Sequence, residues 1–235
     1  MNKLLRLSLL LCLLSLAWRG SAQEVPELHR NRIEQLRPSI AAFKAEDAKN
    51  GITQGAILMV GSSSFTRWQD ADKAFPSHRI INRGFGGSQL YDILYFFDQV
   101  VMPYKPCQIL LYEGDNDIAS GMTPEQYLED VITFVRLVEV RLPGTVVSIV
   151  STKPSPARAK WESAYLRANR LVRELTETKP HVQYIDVAQL LYNRNGKLRP
   201  ELFIQDQIHL NEKGYAIWQA IIAPYLIDEG LKNKK

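Results

Sequence analysis

The run Ala56-Ile57-Leu58-Met59-Val60-Gly61 decides how this chain folds. Apolar residues follow one another without interruption and stop at a glycine. A strand with one wet face alternates polar and apolar residues, whereas a strand covered on both faces does not. Similar runs recur at 79–82, Gln108–Tyr112, Val146–Val150 and 182–187. Helical patterns lie between them. Leu90, Ile93, Leu94, Phe97, Val100 and Val101 share one helical face, and so do Leu128, Val131, Ile132, Val135, Val138 and Leu142. The second pattern opens on Thr123-Pro124-Glu125-Gln126, an N-cap, a first-turn proline and a capping-box glutamine. A third helix is expected over 157–178, with Trp161, Ala168, Leu171, Val172 and Leu175 facing in. A last one starts near Asn211, carries Ile217, Trp218, Ile221 and Ile222, and bends at Pro224. A leading helix over 24–50 is expected to break or kink near Pro38. Five buried strands alternating with helices predict an α/β fold: one parallel sheet with helices on both faces.

Composition agrees with one globular domain. The chain has 235 residues, 46% hydrophobic and 23% charged, which excludes disordered, collagen-like and multi-span membrane classes. Its 29 basic and 25 acidic residues give a net charge of +4. Lys3, Arg6 and Arg19 sit in the first 22 residues without an acidic partner, so the remainder balances at 26 against 25. That balance gives no reason to expect a nucleic-acid partner.

Lys3 and Arg6 precede an apolar stretch over 7–17, and Gly20, Ser21 and Ala22 follow. This is the pattern of a signal peptide cleaved after Ala22, and the stretch falls short of the about 20 apolar residues of a stable span. The expected product is an exported, periplasmic or extracellular protein, a single domain over 23–235. Its one remaining cysteine, Cys107, cannot form an internal disulfide.

Ligands of open parallel sheets bind beyond the carboxyl ends of the strands. The segments there are Gly61-Ser62-Ser63-Ser64, Gly84-Phe85-Gly86-Gly87-Ser88 and Gly114-Asp115-Asn116-Asp117, joined by Asp206-Gln207-Ile208-His209 before the last helix. A serine hydroxyl needs a base, and the base needs a partner that fixes its tautomer. Asp206 and His209 are spaced so that one turn presents them side by side. The negative charge that forms on an attacked carbonyl needs donors in place, such as the Gly87 N–H, the Asn116 amide and the serine's own N–H.

Together these segments resemble the SGNH (GDSL) hydrolase family, including its platelet-activating-factor acetylhydrolase-like members. The Gly-Asp-Ser block resembles Gly61-Ser62-Ser63, the glycine block Asn82–Ser88, the Gly-x-Asn-Asp block Gly114–Asp117, and the Asp-x-x-His block Asp206–His209. The resemblance implies a flavodoxin-like three-layer α/β/α sandwich with a five-stranded parallel sheet. It implies a serine esterase that needs no cofactor or metal, with Ser63, His209 and Asp206 as catalytic triad. Ser63, Gly87 and Asn116 would hold the oxyanion. Substrates would be small-molecule, glycan or lipid acyl esters, short-chain or acetyl. Ser62 departs from the family pattern, which usually carries Asp there. Two further readings stay open at this point: an acyltransferase using a sugar or lipid hydroxyl, and an idle fold that binds glycans.

Other patterns weigh less. Glu113, Asp115 and Asp117 alternate like a calcium loop, but Ile118 stands where its glycine belongs and Pro124 where its last acid belongs. Asp115 and Asp117 therefore read as solvated or hydrogen-bonded loop acids. His29, His78 and His181 fall on the leading helix or before strands and read as surface residues. No His-Glu-x-x-His or cysteine pair points to zinc. Trp68 and Trp161 fit either a site wall or packing, and Tyr215 and Trp218 read as core.

Overall fold

The computed structural model describes residues 27–227. The signal segment expected at 1–22 and the tail at 232–235 lie outside the described residues. The chain divides into a short unit ending at Gln35 and a large one beginning at Leu36. The sheet and the site belong to the second.

The elements are α1 (Glu27–Asn50), β1 (Ile57–Gly61), α2 (Ser63–Thr66), α3 (Ala71–Ala74), β2 (Ile80–Gly84), α4 (Leu90–Tyr95), α5 (Phe97–Val100) and β3 (Gln108–Tyr112). There follow α6 (Asp115–Ala119), α7 (Pro124–Arg141), β4 (Val146–Val150), α8 (Glu162–Glu177), β5 (Val182–Ile185) and α9 (Glu212–Ile222). The strands form one sheet in the order β2-β1-β3-β4-β5, every pair parallel. Ile57 is registered with Ile80 on one side and Gln108 on the other. The chain thus leaves β1 toward one edge and returns at β3 to build toward the opposite edge. That reversal opens a crevice at the carboxyl ends of β1 and β3.

Strands β1 and β3 are buried along their whole length. Ile57, Met59, Leu110 and Tyr112 join a core with Phe65, Trp68, Trp218 and Ile222. Leu58, Val60, Ile109 and Leu111 point to the opposite face and are as fully buried. Both faces are therefore covered, and the fold is the expected flavodoxin-like α/β/α sandwich. Aromatic rings dominate the first core: Trp68 stacks on Tyr215 with ring centres 5.2 Å apart, and Phe65 meets Trp218 edge-on at 6.4 Å. Burying each such ring stabilises the fold by about 1.5–3 kcal/mol. Trp68 is thus packing. Trp161 is half-buried, with Lys160 Nζ 4.0 Å above its ring.

Several boundaries differ from the sequence reading. Helix α1 continues through Pro38 without the expected break, although a proline inside a helix removes an N–H donor and crowds the preceding turn. The pattern from Leu90 to Val101 splits at Phe96 into α4 and α5. Strand β5 stops at Ile185, because the N–H groups of Val187 and Ala188 turn to the Ser151 hydroxyl. The helix expected from 157 begins at Glu162, after a 3-10 turn over Pro156–Trp161 in which Arg158 is not helical (φ −113°, ψ 21°). The capping box at Thr123 forms as expected, with its hydroxyl accepting from Gln126 N at 3.2 Å.

Candidate active site

Strand β1 ends where it must pass close to β3. A Cβ on Gly61 would lie 2.1 Å from the Tyr112 carbonyl oxygen, so only glycine fits. Ser62 then donates its N–H to that same carbonyl at 3.2 Å, and its extended backbone starts the single turn α2. Of the three consecutive serines, Ser62 and Ser64 are fully buried and Ser63 is half-exposed. Ser62 Oγ donates to Asp115 Oδ1 at 3.4 Å. Ser63 Oγ lies 2.8 Å from His209 Nε2.

The other imidazole nitrogen, Nδ1, lies 2.6 Å from Asp206 Oδ2. The second Asp206 oxygen accepts the N–H groups of Ile208 and His209 at 2.8 and 2.9 Å. Partial burial works against ionisation of this carboxyl. The His209 and Ile208 N–H groups and the ring outweigh burial and hold the carboxyl down at about 2. The turn that carries the pair is tightly specified. Ile204 donates to the His209 carbonyl at 2.8 Å, and Gln207 takes a left-handed conformation (φ 55°) that a non-glycine residue adopts only under constraint. A serine oxygen bonded to an imidazole, itself held by a carboxylate, can give its proton to the ring as it attacks an electrophile.

The glycine block crosses above β1. Phe85 N–H donates to the Gly61 carbonyl at 2.8 Å, and a Cβ on Gly86 would sit 3.9 Å from the Ser63 Cβ. Gly87 follows with a left-handed backbone (φ 78°). Asn116, in the first turn of α6 just past β3, donates its Nδ2 to the Ser88 carbonyl at 2.9 Å. The five residues singled out from sequence thus converge on the carboxyl ends of β1 and β3.

Charge lies beneath this rim. Glu113, Asp115, Asp117 and Lys153 are all buried, so the reading of Asp115 and Asp117 as solvated acids is replaced by the hydrogen-bonded alternative. Asp117 caps the Leu90 and Gly114 N–H groups at 2.8 and 2.9 Å. Burial nevertheless pushes it up to about 7. Glu113 accepts from the Ser88 hydroxyl at 2.5 Å. Burial lifts Glu113 well above the carboxyl range, and neighbouring Asp117 lifts it further. Lys153 Nζ lies 3.4 Å from Asp115 Oδ2, and burial lowers its ammonium despite that partner. Among the described residues, no group of three or more His, Cys, Asp or Glu could hold a metal ion.

Sequence reasoning missed Arg158 and gave Glu113 and Ser88 no role of their own in the site. Arg158 donates to the Asn116 Oδ1 at 2.9 Å and to the Asp115 carbonyl at 3.0 Å. The available signal was Lys153-Pro154-Ser155-Pro156-Ala157-Arg158, two cations around a rigid loop just past a buried strand.

Comparison with known proteins bears on the family and the fold. The sequence profile of the GDSL-like Lipase/Acylhydrolase family matches residues 50–217. No curated protein matches the chain. A GDSL-like lipase from Bacteroides thetaiotaomicron VPI-5482 superposes with a TM-score of 0.65 at 20% identity, covering 79% of this chain and 96% of its own. The lipase/acylhydrolase from Enterococcus faecalis gives 0.60 at 16%, covering 76% and 97%. A mutant of an acetyl-xylooligosaccharide esterase from Geobacillus Stearmophilus gives 0.59 at 14%, covering 76% and 96%. At such identities the likeness establishes the fold. With its profile match spanning most of the sequence, the chain belongs to the GDSL-like lipase/acylhydrolase family of ester-hydrolysing serine hydrolases.

Proposed function

We propose that this protein hydrolyses short-chain acyl esters, acetyl esters first, through Ser63, His209 and Asp206. The observation that carries the reading is the continuous line of contacts from Asp206 Oδ2 to His209 Nδ1 (2.6 Å) and from His209 Nε2 to Ser63 Oγ (2.8 Å). Ser63 Oγ attacks the ester carbonyl carbon while His209 Nε2 takes its proton. The carbonyl oxygen becomes an oxyanion held by the Ser63 N–H, the Gly87 N–H and the Asn116 Nδ2. The C–O bond to the alcohol breaks, and His209 returns the proton to the departing oxygen. Water then attacks the acyl-Ser63 ester with His209 again as base, releasing the carboxylic acid and restoring the serine.

The acetyl preference is supported by the fold shared with an acetyl-xylooligosaccharide esterase. The charged start of the chain, its apolar stretch and the small residues ending at Ala22 support export.

The test is hydrolysis of p-nitrophenyl acetate by the protein and by Ser63→Ala. We expect a loss of about 10³-fold or more in kcat for the variant. Equal rates would remove Ser63 from the chemistry. A panel of p-nitrophenyl esters of increasing chain length tests the acyl preference, with acetate expected fastest.

A further inference from the structure

We infer that Arg158 is a positioning residue of the oxyanion site, acting through Asn116. The inference rests on the proposed role of Asn116 and extends it to a side chain in another element. The Arg158 side chain is 18% exposed, and its guanidinium donates from Nη2 to Asn116 Oδ1 at 2.9 Å. From Nη1 it donates to the Asp115 carbonyl at 3.0 Å, and it lies 3.4 Å from Asp115 Oδ2. The Tyr165 hydroxyl also donates to that carbonyl at 3.0 Å.

A carboxamide has two ends that look alike in shape and differ in polarity. The Asn116 nitrogen donates to the Ser88 carbonyl, while its oxygen accepts from Arg158. Flipping the amide would set its N–H groups against a cation and its oxygen against a carbonyl. Two hydrogen bonds would become two repulsions. Arg158 therefore fixes which end of Asn116 faces the glycine block, with one N–H of Nδ2 used by Ser88 and the other left for the oxyanion. A cation on the amide oxygen also draws electron density from the nitrogen and strengthens the N–H as a donor.

The backbone is arranged for this contact. Arg158 departs from helical angles inside its 3-10 turn, and the preceding Ala157 N–H donates to the Gln207 carbonyl at 3.1 Å. One turn thus touches both the Asn116 side of the site and the loop of Asp206 and His209. Balancing Asp115 does not require Arg158, because Lys153 Nζ is already 3.4 Å from the same oxygen.

The experiment is a double-mutant cycle read with p-nitrophenyl acetate. Removing one oxyanion donor costs about 10²–10³ in kcat, so Asn116→Ala is expected in that range. Arg158→Ala is expected to lower kcat by about 10–100-fold with KM changed less than about twofold. The decisive variant carries both changes and should be no slower than Asn116→Ala alone. Arg158→Lys keeps a charge but loses the planar fork, so it should recover part of the rate and serves as the cycle's second arm if the alanine variant folds poorly. Affinity for an alkyl boronic acid, which forms a tetrahedral adduct on serine, should fall in step with kcat. The inference is overturned if Arg158 changes cost the same factor with and without Asn116, or if they raise KM and leave kcat alone. Failure of the triad reading would appear separately, as an active Ser63→Ala.

Discussion

His209 Nε2 lies 2.8 Å from Ser63 Oγ although 146 positions separate them in the chain. Nothing local makes that contact. Ser63 stands where β1 ends, and His209 sits in a turn fastened by the Phe203–Leu210 bridge and the Ile204 N–H. In the proposed mechanism only the neutral ring can take the serine proton. The carboxylate that steadies the resulting imidazolium should stay charged across the whole assay range, since Asp206 is held at about 2, below its ordinary 3.8. A depressed carboxyl supports the fold above its unfolded value and ceases to do so only as pH falls toward its folded one. That window lies below pH 5. Initial rates of p-nitrophenyl acetate hydrolysis between pH 5 and 8 check this; kcat/KM that falls with a slope of two protons on acidification contradicts it.

Replacing Asp206 by Asn separates the charge from the shape. The amide oxygen can still accept the Ile208 and His209 N–H groups that shape the turn. It can no longer both hold the ring tautomer and stabilise the imidazolium. We expect kcat to fall by about 10²–10⁴, while the melting temperature drops by at most a few degrees, because the carboxylate's support of the fold is screened by solvent. A variant that keeps its rate would show that His209 needs no carboxylate.

Glu113 offers a test of a buried acid. It is fully buried, and its Oε2 has no hydrogen-bond partner among the described residues. Burial lifts it well above its ordinary 4.5, so the neutral form is the one the fold favours. Its contribution is present below 4.5 and is lost as pH rises toward the folded value. Gln copies the neutral acid in shape and cannot ionise. Glu113→Gln should match the native protein near pH 5 and overtake it as pH rises, by at most about 1.4 kcal/mol per pH unit. Urea unfolding at pH 5 and pH 8 measures the gap; an unchanged gap sinks the idea.

The strands were legible because a run such as Ile57–Val60 has one physical use, burial on both faces. Ser63, Gly87, Asn116, Asp206 and His209 were legible because each lies beside a strand end or turn that sequence could place. Arg158 was not. Its role depends on one non-helical residue inside a 3-10 turn and on a partner 42 positions away. Asp115 and Asp117 stayed open between a solvated and a hydrogen-bonded loop, and Glu113 was weighed only as a calcium ligand, because the layer of chain that buries all three comes from distant segments. The break at Phe96 was hidden because α4 and α5 both keep apolar residues inward.

Gly114 supports the last prediction. Its backbone is left-handed (φ +104°), and an added Cβ would lie 2.3 Å from Thr152 Oγ1 and 2.9 Å from the Tyr127 ring. Both neighbours hold the Glu113 carbonyl, at 3.0 and 3.1 Å, so neither can retreat without loosening the loop that presents Asn116. Gly196 is the control, because it is also left-handed (φ +71°) but has nothing within 4 Å of the added carbon. Gly196→Ala should show backbone strain alone, about 1 kcal/mol and a melting shift of about 2–4 °C. Gly114→Ala adds crowding to strain, about 2–4 kcal/mol and about 5–15 °C, together with loss of ester hydrolysis. Calorimetry of the two variants decides the matter: equal shifts would mean that the crowding around Gly114 relaxes freely and that its close contacts do not fix the Asn116 loop.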